Sequence, residues 1–451
     1  MSLSTLSAPA ALPATPPLRP AHRWKVLAVG VAANAAFSAA AAGLPATAVF
    51  MRSGYRLDND QLGLALGLMG LGVALFELPW GMLADRWGDR PVLLGGLGAT
   101  AAALAWMSVF AAPVHGAAPA LWLLALGLLL VGVMGGSVNG ASGRAVMAWF
   151  DEGERGLAMS IRQTAVPLGG GLGALVLPWL ASQVGFAAVF GLLGGLCAGA
   201  ALLTLGWLRE PDRAPAKPAR AAIAGRGLNG VSPAGAPSAQ ATSSNAPPAS
   251  HPAPSSPLRD ARVWRASLAI GLLCSPQFAV LTFATVFLHD YCGAGIATLT
   301  AVMVAVQVGA MVARIASGRW TDRRGNRRAY LRGCVWLGFT LFVALAGVAW
   351  AVRDTATDPA AVATVAVLLA VAGICVSAWH GVAYTELATL AGAQRAGTAL
   401  GLANTCVYLG LFLTPLALPH LVAASSWPLA WGVAGGLMLA ALPLLPRTAR
   451  A

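Results

Sequence analysis

Five charged side chains lie inside long apolar stretches of this chain, where an ionised group is costly unless another group neutralises it. These residues are Glu77, Arg144, Arg162, Arg314 and Glu386. Glu77 and Arg314 are 237 residues apart and carry opposite charges. We predict two ion pairs between helices, Glu77 with Arg144 and Arg314 with Glu386. In the alternative, Glu77 or Glu386 takes up a proton during the working cycle.

These two pairs leave Arg162 as the embedded charge without an evident partner in the sequence. The acids of the preceding segment, Asp151, Glu152 and Glu154, are candidates, and so is a lipid phosphate that the long side chain reaches. A third candidate is an anionic substrate, because a guanidinium presents a planar fork that suits a carboxylate or a phosphate.

Uncharged polar residues in the middle of apolar stretches either bridge helices or contact a substrate. His380 and Tyr384 are four residues apart and so share a helical face, and His380 could also shuttle protons. The predicted substrate-binding residues are Asn34, Ser137, Asn139, Arg162, Gln277, His380, Tyr384 and Asn404. A single histidine offers too few ligands for a metal site, and the six cysteines are scattered singly, so we predict no metal, disulfide or cofactor.

A charged ten-residue motif occurs twice and indicates an internal duplication. GMLADRWGDR, Gly81 to Arg90, recurs as GRWTDRRGNR, Gly318 to Arg327. Each copy lies between two apolar runs, which predicts a tight turn between two membrane helices. The residues shared at the fixed offset are Gly81 and Gly318, Asp85 and Asp322, Arg86 and Arg323, Gly88 and Gly325, and Arg90 and Arg327.

This pattern, G-x-x-x-D-R-x-G-x-R between a second and a third helix, resembles the signature of the major facilitator superfamily of secondary transporters. The resemblance implies that the ten shared residues form a gating motif and that helices 1, 4, 7 and 10 line a central cavity. It further implies that Asp85 faces the N-terminus of helix 11, near Gly397. Asp89 and Asn326 depart from the family, which usually has a basic residue at these positions.

Composition is typical of a polytopic membrane protein, since 57% of the 451 residues are hydrophobic, 10% are charged and the mean hydropathy is +0.71. We predict an all-α membrane protein with twelve transmembrane helices in two pseudo-symmetric six-helix halves. The predicted spans are about 26–50, 60–83, 91–111, 120–149, 157–181, 186–208, 263–288, 297–317, 329–350, 360–386, 397–422 and 427–445.

The chain divides into four predicted regions. They are a disordered cytoplasmic N-terminus (1–23), a first six-helix half (24–208), a disordered cytoplasmic linker (209–262) and a second half (263–446). With both termini in the cytoplasm, the termini and even-numbered connections hold 23 of the 29 lysines and arginines, and the odd-numbered connections hold three. This distribution predicts cytoplasmic termini, and 27 arginines against two lysines, with abundant alanine, indicate a GC-rich genome and so a bacterial inner membrane. The net charge of +13 therefore reflects topology, and no nucleic-acid partner is expected.

These features predict a secondary active transporter that works by alternating access, and not an enzyme, since no nucleotide-binding loop or nucleophile motif appears. The tentative cargo is a small organic anion, with protons as a candidate coupling ion. An alternative is an efflux antiporter for drugs and other amphiphiles, and a transporter-like membrane receptor is an alternative of another class. Nitrate is disfavoured because Glu77 stands where nitrate porters have an arginine. A monomer surrounded by lipid is expected.

Overall fold

The computed structural model describes residues 21–114, 117–209 and 256–446, and within these ranges the regular structure is helical apart from an isolated bridge between Val114 and Ala117. Most of the predicted N-terminal segment and of the predicted linker lies outside the described residues. The linker was predicted to extend to residue 262, but a short 3-10 turn occupies Pro257–Arg259 and a long helix begins at Ala261.

Eight α-helices form in the described residues before 210. They are α1 His22–Ala46, α2 Ala48–Tyr55, α3 Asn59–Trp87, α4 Asp89–Phe110, α5 Leu121–Gly135, α6 Ser137–Trp149, α7 Arg155–Gln183 and α8 Phe186–Trp207. Seven more form in residues 256–446. They are α9 Ala261–Val286, α10 Ile296–Arg324, α11 Arg327–Ala351, α12 Pro359–Ser377, α13 His380–Ala391, α14 Ala396–Ala424 and α15 Trp427–Ala441, with a π-helical turn, Phe287–Tyr291, after α9.

Eleven helical segments of the described chain are long and apolar enough to cross a membrane, and they correspond in order to the first eleven predicted spans. The twelfth corresponds to α15, which is apolar but has only 15 residues. The first helix ends earlier than predicted, at Ala46, because Thr47 interrupts it and the short α2 follows. The predicted all-α polytopic fold is confirmed.

Two of the spans are each built from two helices, at equivalent places in the two halves. The fourth span breaks at Gly136, between α5 and α6, and the tenth breaks at Ala378 and Trp379, between α12 and α13. At the second break, the main-chain carbonyls of Ser377 and Ala378 accept hydrogen bonds from the side chains of Arg314 and Ser317. Side-chain donors there satisfy carbonyls that a continuous helix would pair with its own N–H groups.

Helices of the two halves pack in matching pairs across the interface. Helix α3 lies against α14, and its counterpart α10 lies against α7. Within the first half α1 packs mainly on α7, where a methyl group at Gly169 or Gly173 would collide with the α1 backbone. These two glycines therefore form a close-packing surface between α1 and α7.

Helix α3 carries a stripe of small residues, Gly63, Gly67, Gly70, Ala74 and Gly81, that packs closely over only part of its length. A side chain at Gly81 would collide with the carbonyl of Gly397, and Ala74 accepts a hydrogen bond from Thr405 through its carbonyl (3.0 Å). Gly63, Gly67 and Gly70 have open space where a Cβ would stand. Close contact between α3 and α14 along this stripe is thus concentrated at the end that bears the repeated motifs, which we call the turn side.

On the turn side, the repeated acids cap helices of the opposite half. The carboxylate of Asp85 accepts hydrogen bonds from the backbone N–H groups of Gly397 (2.9 Å) and Thr398 (2.7 Å), in the first turn of α14. Asp322 accepts the equivalent pair from Gly156 (3.0 Å) and Leu157 (2.7 Å), in the first turn of α7. A helix N-terminus has unpaired N–H groups and a positive dipole end, so each acid stabilises contact between the halves.

Replacing these acids should loosen the turn side. Asp85→Asn and Asp322→Asn each leave one acceptor oxygen where the carboxylate used two. The loss should cost about 1 kcal/mol per cap. The ratio of molecules with a closed turn side to those with an open one should then fall about fivefold. The double variant should therefore show a longer distance between spin labels at Trp87 and Ala329, which lie in different halves, and Asp85→Asn alone should slow transport. Asp354→Asn, which changes an exposed acid on another loop, is the matched control. An unchanged distance in the double variant would contradict the gating role.

Candidate functional site

Glu77 of α3 is fully buried and bridges the two halves through asparagine side chains. The Nδ2 group of Asn139, in the first turn of α6, donates to Oε1 at 2.6 Å. The Nδ2 group of Asn404, on α14 of the other half, donates to Oε2 at 3.3 Å. Both carboxylate oxygens therefore have a partner, and one partner belongs to each half.

Arg162 of α7 is 1% exposed, and each of its three nitrogens has a partner within the protein. Nε donates to Oγ of Ser142 (2.8 Å), Nη1 contacts the sulfur of Met159 (3.7 Å), and Nη2 donates to the carbonyl of Asn139 (2.7 Å) and to Oδ1 of Asn34 (3.4 Å). Asn139 thus receives a bond from Arg162 at its carbonyl and gives one to Glu77 from its side chain. The opposite charges of Arg162 and Glu77 offset each other through this single residue.

The hydrogen bonds continue on both sides and form one connected cluster, which we call the central network. Asn34 donates to Oγ of Ser142 (3.0 Å), and the Tyr384 hydroxyl donates to Oδ1 of Asn404 (2.6 Å). The central network consists of Asn34, Ser142, Arg162, Asn139, Glu77, Asn404 and Tyr384. It extends from α1 in the first half to α13 in the second.

Arg314 of α10 is also buried, at 2% exposure, but its bonding differs from that of Arg162. Its Nε donates to the carbonyl of Ser377 (3.0 Å) and its Nη1 donates to the carbonyl of Gln163 on α7 (2.7 Å). Arg314 therefore connects the two halves through neutral carbonyls, and its Nη2 group makes no hydrogen bond within the described residues.

The two broken spans explain why equivalent positions carry opposite charges. Glu77 lies beside the N-terminus of α6, where Gly136 packs on its backbone and Asn139 bonds to its carboxylate. Arg314 bonds to Ser377, the last residue of α12, and so lies at a helix C-terminus. A negative group is favoured at the positive end of a helix dipole and a positive group at the negative end. Each charge has the sign that its neighbouring helix end favours.

The structure corrects both predicted ion pairs. Arg144 contacts Asp89 (2.8 Å) and Asp85 (3.3 Å), whereas Glu77 bonds to asparagines. The first prediction fails because Glu77 lies two helical turns, about 12 Å, further into the bundle than Asp85.

Glu386 likewise has a partner other than Arg314. It pairs with Arg328 at 2.6 Å, and Arg314 bonds to main-chain carbonyls. Arg328 belongs to the first turn of α11, a position that the sequence pattern assigned to a connection rather than to the bundle.

Asp89, which departs from the family pattern, forms an ion pair that has an equivalent in the second half. The acid and the base have exchanged places between these two pairs. In the first half an acid at the start of α4 meets a base on α6, Asp89 with Arg144. In the second half a base at the start of α11 meets an acid on α13, Arg328 with Glu386. The two pairs join equivalent helices with the signs exchanged.

The other predicted substrate residues lie outside the central network. Ser137 packs against Gly96 of α4, and Gln277 of α9 is 7% exposed with no partner for its Oε1 among the described residues. His380 stacks on Trp379, with ring centroids 4.0 Å apart. Ser142 was missed, although it lies three residues after Asn139 and therefore on the same helical face.

The remaining residues of the repeated turns have structural contacts. Gly88 and Gly325 have φ values of 96° and 62°, which favour glycine. Gly318 packs on the backbone of Gly156, as Gly81 packs on Gly397. Arg90 donates to the carbonyl of Leu205, Arg327 pairs with Asp322 (2.9 Å), and Arg86 and Arg323 are exposed. Their gating role stays a prediction.

A duplicated helical bundle with buried charges at the interface between its halves defines a membrane transport protein. The family model of the Major Facilitator Superfamily matches residues 27–351 and 293–451, and the chain belongs to this family. An uncharacterized MFS-type transporter of Mycobacterium tuberculosis, Rv2994, is 31% identical over 399 residues, which cover 87% of this chain and 79% of that protein.

Further similarities concern shorter stretches or the fold alone. The probable galactarate/D-glucarate transporter GudP of Escherichia coli is 27% identical over 35% of each chain, and the multi-drug resistance efflux pump PmrA of Streptococcus pneumoniae is 30% identical over 34% of this chain and 37% of its own. The solved structure of the proton:xylose symporter XylE has a TM-score of 0.68 at 16% identity and covers 94% of this chain and 95% of its own. The family model and the transporter of Mycobacterium tuberculosis support secondary transport as the general activity, and XylE shares the fold.

The ion pair at the start of α4 should show strong energetic coupling. Asp89 and Arg144 are 4% and 11% exposed at their side chains, whereas Arg328 of the counterpart pair is 41% exposed. In a double-mutant cycle, Asp89→Asn and Arg144→Gln should therefore couple by about 2 kcal/mol in the free energy of unfolding. The cycle of Arg328→Gln and Glu386→Gln should give about 0.5 kcal/mol. Equal coupling in the two cycles would show that burial does not set the strength of these pairs.

Proposed function

We propose that this protein is a secondary transporter that moves a small organic anion by alternating access and that Glu77 carries the coupling proton. One observation carries the proposal. Among the described residues, the buried charges of the spans that lack a salt bridge are Glu77, Arg162 and Arg314, and they sum to one positive charge.

The surplus charge is assigned to Arg314. Glu77 offsets Arg162 through Asn139, whereas Arg314 contacts only neutral carbonyls. A guanidinium held in a low-dielectric region without a counter-charge favours an anion that can approach it. The unpartnered Nη2 of Arg314 supplies donors with the geometry that a carboxylate accepts. The proposed contact therefore moves from Arg162, the residue favoured by the sequence, to Arg314.

Protonation of Glu77 would couple a proton to the anion. A neutral carboxyl group no longer offsets Arg162, so the buried cluster would rise from one to two positive charges. By thermodynamic linkage, proton binding then favours anion binding and the bound anion favours protonation. This reciprocal effect predicts that the anion and the proton are transported in the same direction. The carboxyl of Glu77 is also bonded to Asn404 of the other half, so a change in its protonation acts directly on the interface.

The names of the relatives do not decide the solute. GudP is named for galactarate and D-glucarate and PmrA for multi-drug efflux, and both similarities cover about a third of this chain. The charge of the buried cluster favours an anion over a lipophilic cation. The discriminating experiment is an uptake screen in proteoliposomes with small mono- and dicarboxylates, neutral sugars and lipophilic cationic dyes, each with and without a pH gradient.

Arg314 should be needed for binding of the anion found in this screen. Arg314→Gln removes the surplus charge and should lower the apparent affinity at least tenfold, and Arg314→Lys should retain part of it because the charge remains. Arg319→Gln is the control, since Arg319 lies on the same helix and is exposed. Thermal stability of each variant reports folding. Unchanged affinity in Arg314→Gln, or a screen that finds only lipophilic cations, would favour amphiphile efflux instead.

Glu77 should be needed for the pH dependence of transport. Glu77→Gln keeps a group of nearly the same shape and one acceptor oxygen for Asn139 or Asn404, but it cannot take up a proton. Exchange of labelled for unlabelled anion should persist, while uptake driven by a pH gradient should fall at least tenfold. Glu152→Gln, at an exposed position before α7, is the control. Gradient-driven uptake at the parental rate in Glu77→Gln would exclude Glu77 as the proton carrier.

A further inference from the structure

We propose that Cys274 and His380 form a site for one soft monovalent metal ion, Cu(I) or Ag(I), held in linear two-coordinate geometry. This site is distinct from the proposed anion contact. Cys274 lies on α9 and is fully buried, and His380 is the first residue of α13 and is 8% exposed. Their Sγ and Nε2 atoms are 3.8 Å apart.

The histidine tautomer places a lone pair toward the sulfur. Nδ1 of His380 is 3.2 Å from the carbonyl oxygen of Ser377. A carbonyl only accepts hydrogen bonds, so Nδ1 carries the proton and Nε2 of the neutral ring has the free lone pair. A metal-binding histidine commonly donates its other N–H to such a carbonyl, which fixes both tautomer and ring orientation. Stacking of Trp379 on the ring adds a second restraint.

Distance and ligand number select the type of metal. With bonds of about 2.0 Å to nitrogen and about 2.3 Å to sulfur, an ion between the two atoms needs them about 4.3 Å apart in a linear arrangement. The observed separation of 3.8 Å is about 0.5 Å shorter, so binding requires the two side chains to move apart by that amount. No group of three or more His, Cys, Asp and Glu residues suited to a metal occurs in the described chain, so the usual tetrahedral zinc site is not provided. Thiolate ligands favour Cu(I).

Charge balance also favours a monovalent ion. Binding replaces the thiol proton: the S–H bond breaks, the proton leaves to water, and the metal bonds to the thiolate sulfur and to the imidazole Nε2. No electron is transferred, and the net charge of the site is unchanged. A divalent ion would add a charge close to Arg314, whose Nε bonds to the same Ser377 carbonyl as His380. Burying that extra charge beside a guanidinium is unfavourable.

A metal ion bound at this site would restrain the backbone at the break in the tenth span. Cys274 belongs to the seventh span, and His380 begins the helix that follows the break after Ser377. A metal between them ties α9 to α13 at the point where Arg314 is anchored. Since Arg314 also bonds to α7 of the other half, the tie restrains a contact that alternating access must break. Metal binding should therefore inhibit transport.

Direct binding of Ag(I) to the purified full-length protein tests the site without any transport substrate. Isothermal titration and native mass spectrometry should show one tight Ag(I) per chain in the parent protein. Cys274→Ser and His380→Gln should each bind it at least tenfold more weakly, with unchanged thermal stability in the metal-free state. Cys406→Ser removes a half-buried thiol on α14 and is the control that should bind normally. Zn(II) should not compete.

X-ray absorption at the silver edge then identifies the ligands. One sulfur and one nitrogen neighbour are expected. Equal affinity in Cys274→Ser, or a silver ion with sulfur neighbours only, would overturn the proposal, because the ion would then be held by other cysteines. If Cys274→Ser is unstable, Cys274→Ala provides the same comparison. This test measures metal binding alone, so its outcome does not depend on whether the uptake screen identifies an anion.

Discussion

The cost of placing charge in an apolar environment is the constraint on which this structure depends. Each of the buried charges discussed above is stabilised in one of two ways, by an ion pair or by hydrogen bonds to neutral groups. Asp89 and Glu386 meet arginines near the turn side, whereas Glu77, Arg162 and Arg314 are held deeper by amides, hydroxyls and main-chain carbonyls. For Arg314, one of these carbonyls belongs to Ser377, the last residue of α12, where the helix breaks.

Buried charges lie at equivalent positions in the two halves, as duplication predicts, but their signs differ between the halves. The exchanged polarity of the pairs Asp89–Arg144 and Arg328–Glu386 keeps each pair neutral, so a sign change at one member was tolerable only with a change at the other. Glu77 and Arg314 have no such paired partner. Their signs instead follow the helix end beside each residue, so the pseudo-symmetric framework holds an asymmetric charge distribution.

The sequence predicted features that depend on position along the chain and missed those that depend on packing. The spans and the duplication follow from hydropathy and motif spacing, and the contact of Asp85 with the helix that begins near Gly397 was implied by the family resemblance. The partners in ion pairs cannot be predicted in this way. Spacing gives the depth of a residue along its helix, at 1.5 Å per residue, but it does not show which neighbouring helix the side chain faces. Cys274 and His380 are 106 residues apart and form no local motif, so only the fold brings them together.

The groups proposed to bind solute and proton are also groups that join the halves. Glu77 meets Asn404 and Arg314 meets Gln163, so two of the deep contacts across the interface involve a side chain whose charge environment changes on binding. The caps made by Asp85 and Asp322 lie closer to the turn side and use backbone donors whose charge is fixed. Under the proposed function, we expect binding to act first on the deep contacts. Both sets of contacts lie along the same helix pairs, α3 with α14 and α7 with α10, so a loss of the deep contacts would lower the free energy needed to separate the caps. The proposal therefore couples occupancy of the site to opening of the turn side through shared helices.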